Sequence, residues 1–343
     1  MSQQKTIDIH AHVIGEETIR LMQKEAPKVA PRLTPIDNES AVFEVAGTPY
    51  RPFPRGGFDL DQRFKDMAAS EVDMQAVSVP PQTFLYDQDA ALGAALARIQ
   101  NEEIAKLVKQ HPDRFLGLAT LPMQAPEQAA AELRRAVRTL GLVGAMIGSN
   151  IEGRNLDDPA LEPVWAAAAE VDAFMLIHPV KVAGADRLRA YYLTNLIGNP
   201  LDTTIAAACL VFGGVLERHP TLKFCLSHGG GFTPYQAGRW AHGWHVRGEP
   251  KKSLAVSPEA SLRRFYYDTI LHAAPQLESL VAWAGPSHVL LGSDYPFDMG
   301  TLECVRQVRA LGVSAADRDT ILGGQAAAML GAGGQARRAA ARS

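Results

Sequence analysis

The sequence has few cysteines and lacks the common nucleotide-binding motifs. Its 343 residues include three cysteines, Cys209, Cys225 and Cys304, which are widely separated. Their number is odd and no CxxC pair occurs, so a disulfide framework is not expected and a reducing compartment is favoured. No GxGxxG follows the first apolar run and no P-loop is present, which leaves a nucleotide site without support.

The sequence also has no long apolar run and no strong excess of charge. No uninterrupted apolar segment reaches the roughly 18 residues that a membrane span needs. The start, MSQQKTIDIH, does not have the basic-then-apolar order of a signal peptide. The formal net charge is −3, which gives no reason to expect nucleic acid or a membrane surface as a partner. We therefore expect a soluble, cytoplasmic protein.

Eight short apolar runs predict β-strands. Helix-forming stretches lie between several of them, at 89–112, 125–141, 162–171 and 204–220. Alternating strands and helices are typical of parallel βαβ units, and eight units predict a (β/α)8 TIM barrel. An open, doubly wound sheet is the alternative, but such a sheet usually has fewer strands. The predicted strands cover residues 6–10, 74–79, 115–120, 143–148, 173–178, 222–227, 265–269 and 288–294.

Two long segments interrupt this alternation. Residues 15–60 follow the first strand and residues 180–202 follow the fifth. Insertions after strands fall on the C-terminal face of a barrel, where active sites lie. We expect residues 1–330 to form a single barrel domain with these insertions, and residues 331–343 to form a low-complexity tail.

Histidine and aspartate stand where predicted strands end. The run TIDIHAHVI has His10 and His12 two positions apart, which places both on one face of a strand. His178, His228 and Asp294 end strands five, six and eight. Taken singly, each histidine is explained by an ordinary hydrogen bond, and Asp294 by a helix cap. Five such residues at the matching ends of barrel strands predict a metal site.

The donor types restrict the metal. Three imidazoles and one carboxylate suit a divalent ion, with Zn²⁺ first and Mn²⁺ or Fe²⁺ after it. A catalytic zinc keeps a position for water and lowers its pKa. Strand four, VGAMIGSN, offers no lysine or glutamate to bridge a second ion, so one metal per chain is expected. Of the four histidines, His228 is the predicted proton-transfer residue, since the following GGG lets backbone and substrate approach closely.

The motifs IDIHAH, YRPF, LERHPTLKFCLSHGGGFTPYQAGRW and LLGSDYPF resemble the amidohydrolase superfamily. Within it they are most similar to the metal-dependent decarboxylases of the amidohydrolase 2 branch, in particular the α-amino-β-carboxymuconate-ε-semialdehyde decarboxylases. The resemblance covers nearly the whole chain. It implies that His10, His12, His178 and Asp294 are zinc ligands, that Asp294 belongs to the catalytic set, and that His228 is the catalytic acid/base.

The resemblance also implies residues that bind the substrate. Arg51 matches an arginine that binds a substrate carboxylate, and Arg239 matches a second one that is donated across a homodimer interface. Arginine suits this task because it binds carboxylates through two parallel hydrogen bonds. Phe297 matches an aromatic residue of the pocket. Tyr191 is also predicted to contact the substrate. It and Tyr192 stand where tryptophan is usual in the family, so the substrate itself is left open.

The predicted function is a metal-dependent, non-oxidative decarboxylase of an unsaturated or aromatic carboxylate, such as a ring-cleavage product. No organic cofactor is required, because a conjugated substrate delocalises the charge left by the departing CO2. The alternative is a hydrolase of the same superfamily that cleaves an amide, lactone or ring C–N bond. A third hypothesis is a non-catalytic binding protein, for which His228 would be dispensable.

Overall fold

A computed structural model describes residues 4–331 of the chain. All eight predicted strands are present, and they form one parallel sheet in which the neighbours along the chain pair with one another. The segment of chain between the first two barrel strands forms a second sheet, which is antiparallel and has three strands. The barrel strands are β1 (Ile7–His12), β5 (Met74–Ser78), β6 (Phe115–Ala119), β7 (Gly144–Gly148), β8 (Phe174–His178), β9 (Lys223–Leu226), β10 (Tyr266–Asp268) and β11 (Val289–Leu290), and the smaller sheet contains β2 (Arg32–Pro35), β3 (Ser40–Val45) and β4 (Thr48–Pro54).

Backbone hydrogen bonds join the last barrel strand to the first. The amide of Ile9 donates to the carbonyl of Leu291 (2.8 Å), and the amide of Asp294 donates to the carbonyl of His10 (2.9 Å). The His12 amide bonds in turn to the carbonyl of Tyr295 (2.6 Å). These contacts close the sheet, and the prediction of a (β/α)8 barrel is confirmed.

Helices cover the outside of the barrel. One predicted helix, 204–220, is two helices, because the chain turns at Gly214, whose φ of 71° lies in the left-handed region. No helix among residues 4–331 combines the length and the apolar composition needed to cross a bilayer. The helices are α1 (Glu16–Glu25), α2 (Leu60–Ala69), α3 (Ala90–Gln110), α4 (Pro126–Arg138), α5 (Glu162–Glu170), α6 (Asn199–Phe212), α7 (Val215–Arg218), α8 (Thr233–Val246), α9 (Pro258–Leu262), α10 (Ala274–Ala284), α11 (Cys304–Arg309), α12 (Ala315–Asp319) and α13 (Gln325–Leu330).

The two predicted insertions lie where the first and fifth barrel strands end. The first holds α1 and the three-stranded sheet, and the second holds a short helical segment at 194–198 before α6. Both contribute residues to one cavity, described below. The predicted tail 331–343 lies, apart from Gly331, outside the described residues, and the single-domain boundary at 330 stays a prediction.

The alternation of β1 separates core residues from polar ones. Ile7, Ile9 and Ala11 belong to the main hydrophobic core. The intervening His10 and His12 therefore face the barrel interior together, since successive side chains of a strand point to opposite sides.

Candidate metal centre

Three histidines and one aspartate converge at the C-terminal end of the barrel. His10 and His12 come from β1, His178 is the last residue of β8, and Asp294 lies in the loop after β11. One ligand atom from each of the four lies within 4.8 Å of the others, and all four residues are buried. The structure thus brings together the predicted metal ligands.

Hydrogen bonds fix the orientation of each imidazole. The Nδ1 atom of His10 donates to Asp268 Oδ2 (2.8 Å), that of His12 to the carbonyl of Val79 (3.1 Å), and that of His178 to the carbonyl of Pro179 (3.1 Å). With Nδ1 as the donor, the neutral form of each ring presents the lone pair of Nε2. Acceptors behind the ligands are typical of histidines that bind a metal.

The three Nε2 atoms surround a single carboxylate oxygen. Asp294 Oδ1 lies 3.1 Å from Nε2 of His12, 3.3 Å from that of His10 and 3.9 Å from that of His178. The Nε2 atoms of His10 and His178 are buried, and neither has a hydrogen-bond partner within residues 4–331. Buried polar atoms without a partner are costly, and a divalent ion held by N and O donors removes this cost. The residues therefore fit a divalent metal.

Burial and charge act differently on the three rings. Burial lowers the pKa of His178 to about 3 and lowers that of His12, so both are neutral near pH 7. Burial also opposes the charged form of His10, but the hydrogen bond to Asp268 and the nearby negative charge of Asp294 outweigh it and raise its pKa to about 10. Before a metal binds, His10 is thus the one histidine ligand that is protonated on both ring nitrogens and carries a positive charge.

His228 stands beside the ligand set without belonging to it. Its Nε2 lies 3.3 Å from Asp294 Oδ2, on the carboxylate oxygen that the three ligands leave free, and its ring lines the cavity. Its Nδ1 is buried and without a partner in the described chain. A histidine so placed can hold or deliver a proton at a molecule bound in the cavity.

The glycines after His228 are required by the backbone turn there and do not open a path for the substrate. Gly230 has a φ of 78°, and a Cβ there would lie 2.6 Å from the ring of Tyr267. Gly231 has a φ of 61°, and a Cβ there would lie 2.1 Å from the carbonyl oxygen of Pro200. We expected the GGG sequence to let the substrate approach the backbone. That expectation is wrong, since these glycines pack against other parts of the protein and do not line the cavity.

A cavity of about 750 Å³ opens above the centre. Its aromatic walls come from both insertions and from the loops after β5 and β11. At its mouth, Tyr50 Oη donates to Asp298 Oδ1 (2.6 Å), and Tyr192 Oη approaches the same oxygen (3.3 Å). This contact joins the first insertion, the second insertion and the last barrel loop. The aromatic lining residues are Tyr50, Phe84, Tyr86, Tyr192 and Phe297.

The residues predicted to bind the substrate lie at different distances from the cavity. Phe297 lines it, with its ring centroid 5.1 Å from that of His12. Arg51 is exposed on β4 and Arg239 is exposed on α8, and neither lines the cavity. Tyr191 is 86% exposed and outside the lining, whereas its neighbour Tyr192 is part of it. Within this chain, Tyr192 therefore takes the place that was predicted for Tyr191.

Sequence reasoning missed Asp268 and Asp298. Asp268 ends the seventh barrel strand, and the rule that found the other strand-end residues applies to it equally. Asp298 lies four residues after Asp294, but only its contacts with Tyr50 and Tyr192 show its position at the cavity mouth. Nothing in the sequence pairs residue 50 with residue 298.

Comparison with known proteins agrees with this arrangement. The profile of the Amidohydrolase family matches residues 7–332. The 2-amino-3-carboxymuconate-6-semialdehyde decarboxylase of Dictyostelium discoideum is 35% identical over 329 residues, which cover 95% of this chain and 91% of that protein. The gamma-resorcylate decarboxylase of Rhodococcus jostii (strain RHA1) is 28% identical, over 76% of this chain and 84% of the relative.

A solved structure shares the fold. The 5-carboxyvanillate decarboxylase of Novosphingobium aromaticivorans, complexed with manganese, superposes with a TM-score of 0.80 at 22% identity, over 96% of each chain. The family profile spans nearly the whole barrel, and the 35% identical relative extends over the same length. The chain therefore belongs to the amidohydrolase family.

Proposed function

We propose that this chain is a metal-dependent, non-oxidative decarboxylase of an aromatic or unsaturated carboxylate. The observation that carries the proposal is His228, which is set against the free oxygen of Asp294 inside an aromatic cavity. The carboxy-lyase class predicted from the sequence is confirmed by the family relatives, two of which are named as decarboxylases of a carboxymuconate semialdehyde and of gamma-resorcylate.

His10, His12, His178 and Asp294 would hold the metal. The fit supports a divalent ion, and Zn²⁺ is our proposal because imidazole and carboxylate groups are typical zinc ligands. Mn²⁺ is the alternative, since one neighbour of the same fold is described with manganese. When bound, the ion supplies positive charge that polarises the substrate. Metal analysis of protein purified without chelator distinguishes the two.

The protein residues then have defined tasks. The aromatic walls hold a planar substrate with its carboxylate near the centre and exclude water. The C–C bond to the carboxylate breaks, CO2 leaves, and the electron pair stays on the substrate carbon. His228 delivers a proton to that carbon, and a C–H bond replaces the C–C bond.

Arg51 and Arg239 are proposed to bind carboxylate groups, with Arg239 contributed by a second copy in a homodimer. Both are exposed, and within residues 4–331 neither has an ion-pair partner. Tyr235, one helical turn before Arg239, is 89% exposed on the same face of α8. Exposed tyrosine and arginine are enriched in protein interfaces, which supports this face as the dimer contact.

The decisive experiment measures CO2. Zinc-loaded protein is incubated with candidate aromatic and dienoic carboxylates, and CO2 and product are quantified. His228→Ala is expected to retain zinc and to lose turnover by about 10²- to 10⁴-fold. The matched control is His245→Ala, an exposed histidine on α8, which should keep wild-type turnover. A substrate consumed with uptake of water and no CO2 would instead indicate the hydrolase.

The dimer proposal has its own test. Arg239→Ala and His228→Ala are each expected to be inactive as homodimers. If Arg239 acts in trans, mixed dimers contain one site with both residues intact, and activity returns on mixing. A chain that sediments as a monomer, or a mixture without recovered activity, contradicts the proposal.

We also propose a cytoplasmic location. All three cysteines are free in the structure, and Cys225 and Cys304 are buried. Unpaired cysteines are typical of proteins in reducing compartments. Fractionation of cells that express the tagged protein tests this directly.

A further inference from the structure

Asp268 has more polar contacts than packing alone would require. It is the last residue of β10, and its side chain is fully buried. Its Oδ2 accepts hydrogen bonds from His10 Nδ1 (2.8 Å) and from the amide of His228 (2.9 Å). Its Oδ1 accepts from the amides of Gly229 (2.8 Å) and Ile270 (3.1 Å). The carboxylate thus has four donors, which is what the burial of its charge requires.

The bond to His10 determines which ring nitrogen faces the centre. Because Nδ1 donates to Asp268, Nε2 of His10 faces the centre, 3.3 Å from Asp294 Oδ1. A carboxylate behind a metal-binding histidine fixes the ring and increases its basicity. Loss of such a partner typically weakens metal binding by about 10- to 100-fold.

The bonds from Asp268 to the loop that follows the neighbouring strand β9 fix the backbone of His228, the proton-transfer residue. His228 has a φ of 54° and Gly229 a φ of 61°, both in the left-handed region. Two successive amides in such a turn form a concave site for a negative charge, and the Asp268 carboxylate occupies it. A left-handed histidine costs free energy and persists only when its surroundings hold it. The contacts with Asp268 therefore help to keep the His228 ring beside Asp294.

We infer that Asp268 is a positioning residue. Through its one carboxylate it holds both a metal ligand, His10, and the proton-transfer residue, His228, in place. Asp268 does not line the cavity, so it acts through these two residues and not on the substrate. The part that concerns His228 rests on the proposed decarboxylase function. The part that concerns His10 requires only that the site binds a metal.

The metal part is tested with Asp268→Asn. The amide has one acceptor oxygen where the carboxylate has two, so it cannot serve all four donors. We expect zinc affinity, measured by competition with a chromophoric chelator, to fall by about 10- to 100-fold. The matched control is Asp202→Asn. Asp202 is also a buried carboxylate on this face, bonded to Asn150 and to the amide of Ala183, without contact to the centre.

Wild-type zinc affinity in Asp268→Asn would overturn the inference, and so would an equal loss in Asp202→Asn, because a general loss of packing would then explain both. Circular dichroism checks that each variant is folded. If Asp268→Asn does not fold, Asp268→Glu replaces it with the same expectation, since the extra methylene displaces the carboxylate from its donors.

The second part is tested by a double-mutant cycle at saturating zinc. Asp268→Asn is expected to lower kcat in the wild-type background, but to change it by less than about threefold in a His228→Ala background. Additive losses would overturn the link to His228. If the wild-type protein releases no CO2 from any carboxylate, the proposed function fails, while the zinc comparison still decides whether Asp268 holds His10.

Discussion

Metal binding should release a proton, and the source of that proton is His10. The hydrogen bond to Asp268 and the nearby negative charge of Asp294 raise the pKa of His10 to about 10 in the metal-free protein, in spite of burial. Burial lowers the pKa of His12 and of His178. Near pH 7, therefore, two of the imidazoles are neutral and one is charged. A metal requires a lone pair from each, so about one proton leaves per ion bound.

The number of protons released sets how steeply zinc affinity depends on pH. With one proton released, the apparent Kd for zinc tightens by roughly tenfold for each unit of pH between about pH 6 and pH 9. The stability of the metal-free protein should change in the opposite sense. Because the pKa of His10 is raised on folding, its contribution is fully present below its unfolded pKa of about 6.5 and is lost as the pH rises through about 10.

Two measurements check the prediction. Calorimetry of zinc binding in buffers with different ionisation enthalpies counts the protons, and chelator competition across the pH range gives the slope. His245→Ala, which removes an exposed histidine, should leave both unchanged. A proton count near zero, with a flat affinity, would show that His10 is neutral before the metal binds and would refute the reasoning.

Two further substitutions test the cavity mouth and the glycine turn. Tyr50→Phe removes the hydroxyl that donates to Asp298 at 2.6 Å. We expect the free energy of unfolding to fall by about 1.5–3 kcal/mol and KM to rise. An unchanged melting temperature together with an unchanged KM would contradict a role for this contact. Gly230→Ala adds a Cβ 2.6 Å from Tyr267 at positive φ, whereas Gly141→Ala has positive φ and open space. In thermal unfolding, backbone strain should lower the free energy of unfolding of both variants by about 1–3 kcal/mol. The total loss should be larger in Gly230→Ala, and equal losses would show that the contact with Tyr267 does not matter.

The barrel and its ligands could be predicted because both follow from local patterns. Each strand is a short apolar run, and a polar residue at its end must lie on the C-terminal face once the strands are parallel. His10, His12, His178 and Asp294 needed no knowledge of pairing between distant segments, and the structure brings them together. Asp268 also lies at the end of a barrel strand. It was missed because a single aspartate at a strand end resembles an ordinary helix cap.

The cavity walls could not be predicted in the same way. Whether Tyr191 or Tyr192 lines the cavity depends on the path of an insertion that has no regular period. Both residues have positive φ, 56° and 59°, so neither helical nor strand periodicity applies between them. The contact of Tyr50 with Asp298 joins residues 248 positions apart. Such contacts depend on how the loops pack on the barrel, which apolar patterning does not encode.

The charges of the cavity bear on the proposal that arginines from outside its lining bind the substrate. Lys181 is the one lysine or arginine among the described lining residues, and it is already 2.5 Å from Glu152 and 3.7 Å from Asp87. Asp298 adds a further negative charge at the mouth. Apart from the metal centre, a substrate carboxylate would therefore meet acidic groups and a lysine already engaged with them. An arginine from outside the lining, such as Arg51 or an Arg239 from another copy, would supply the missing positive charge, and the mixing experiment tests the contribution of Arg239.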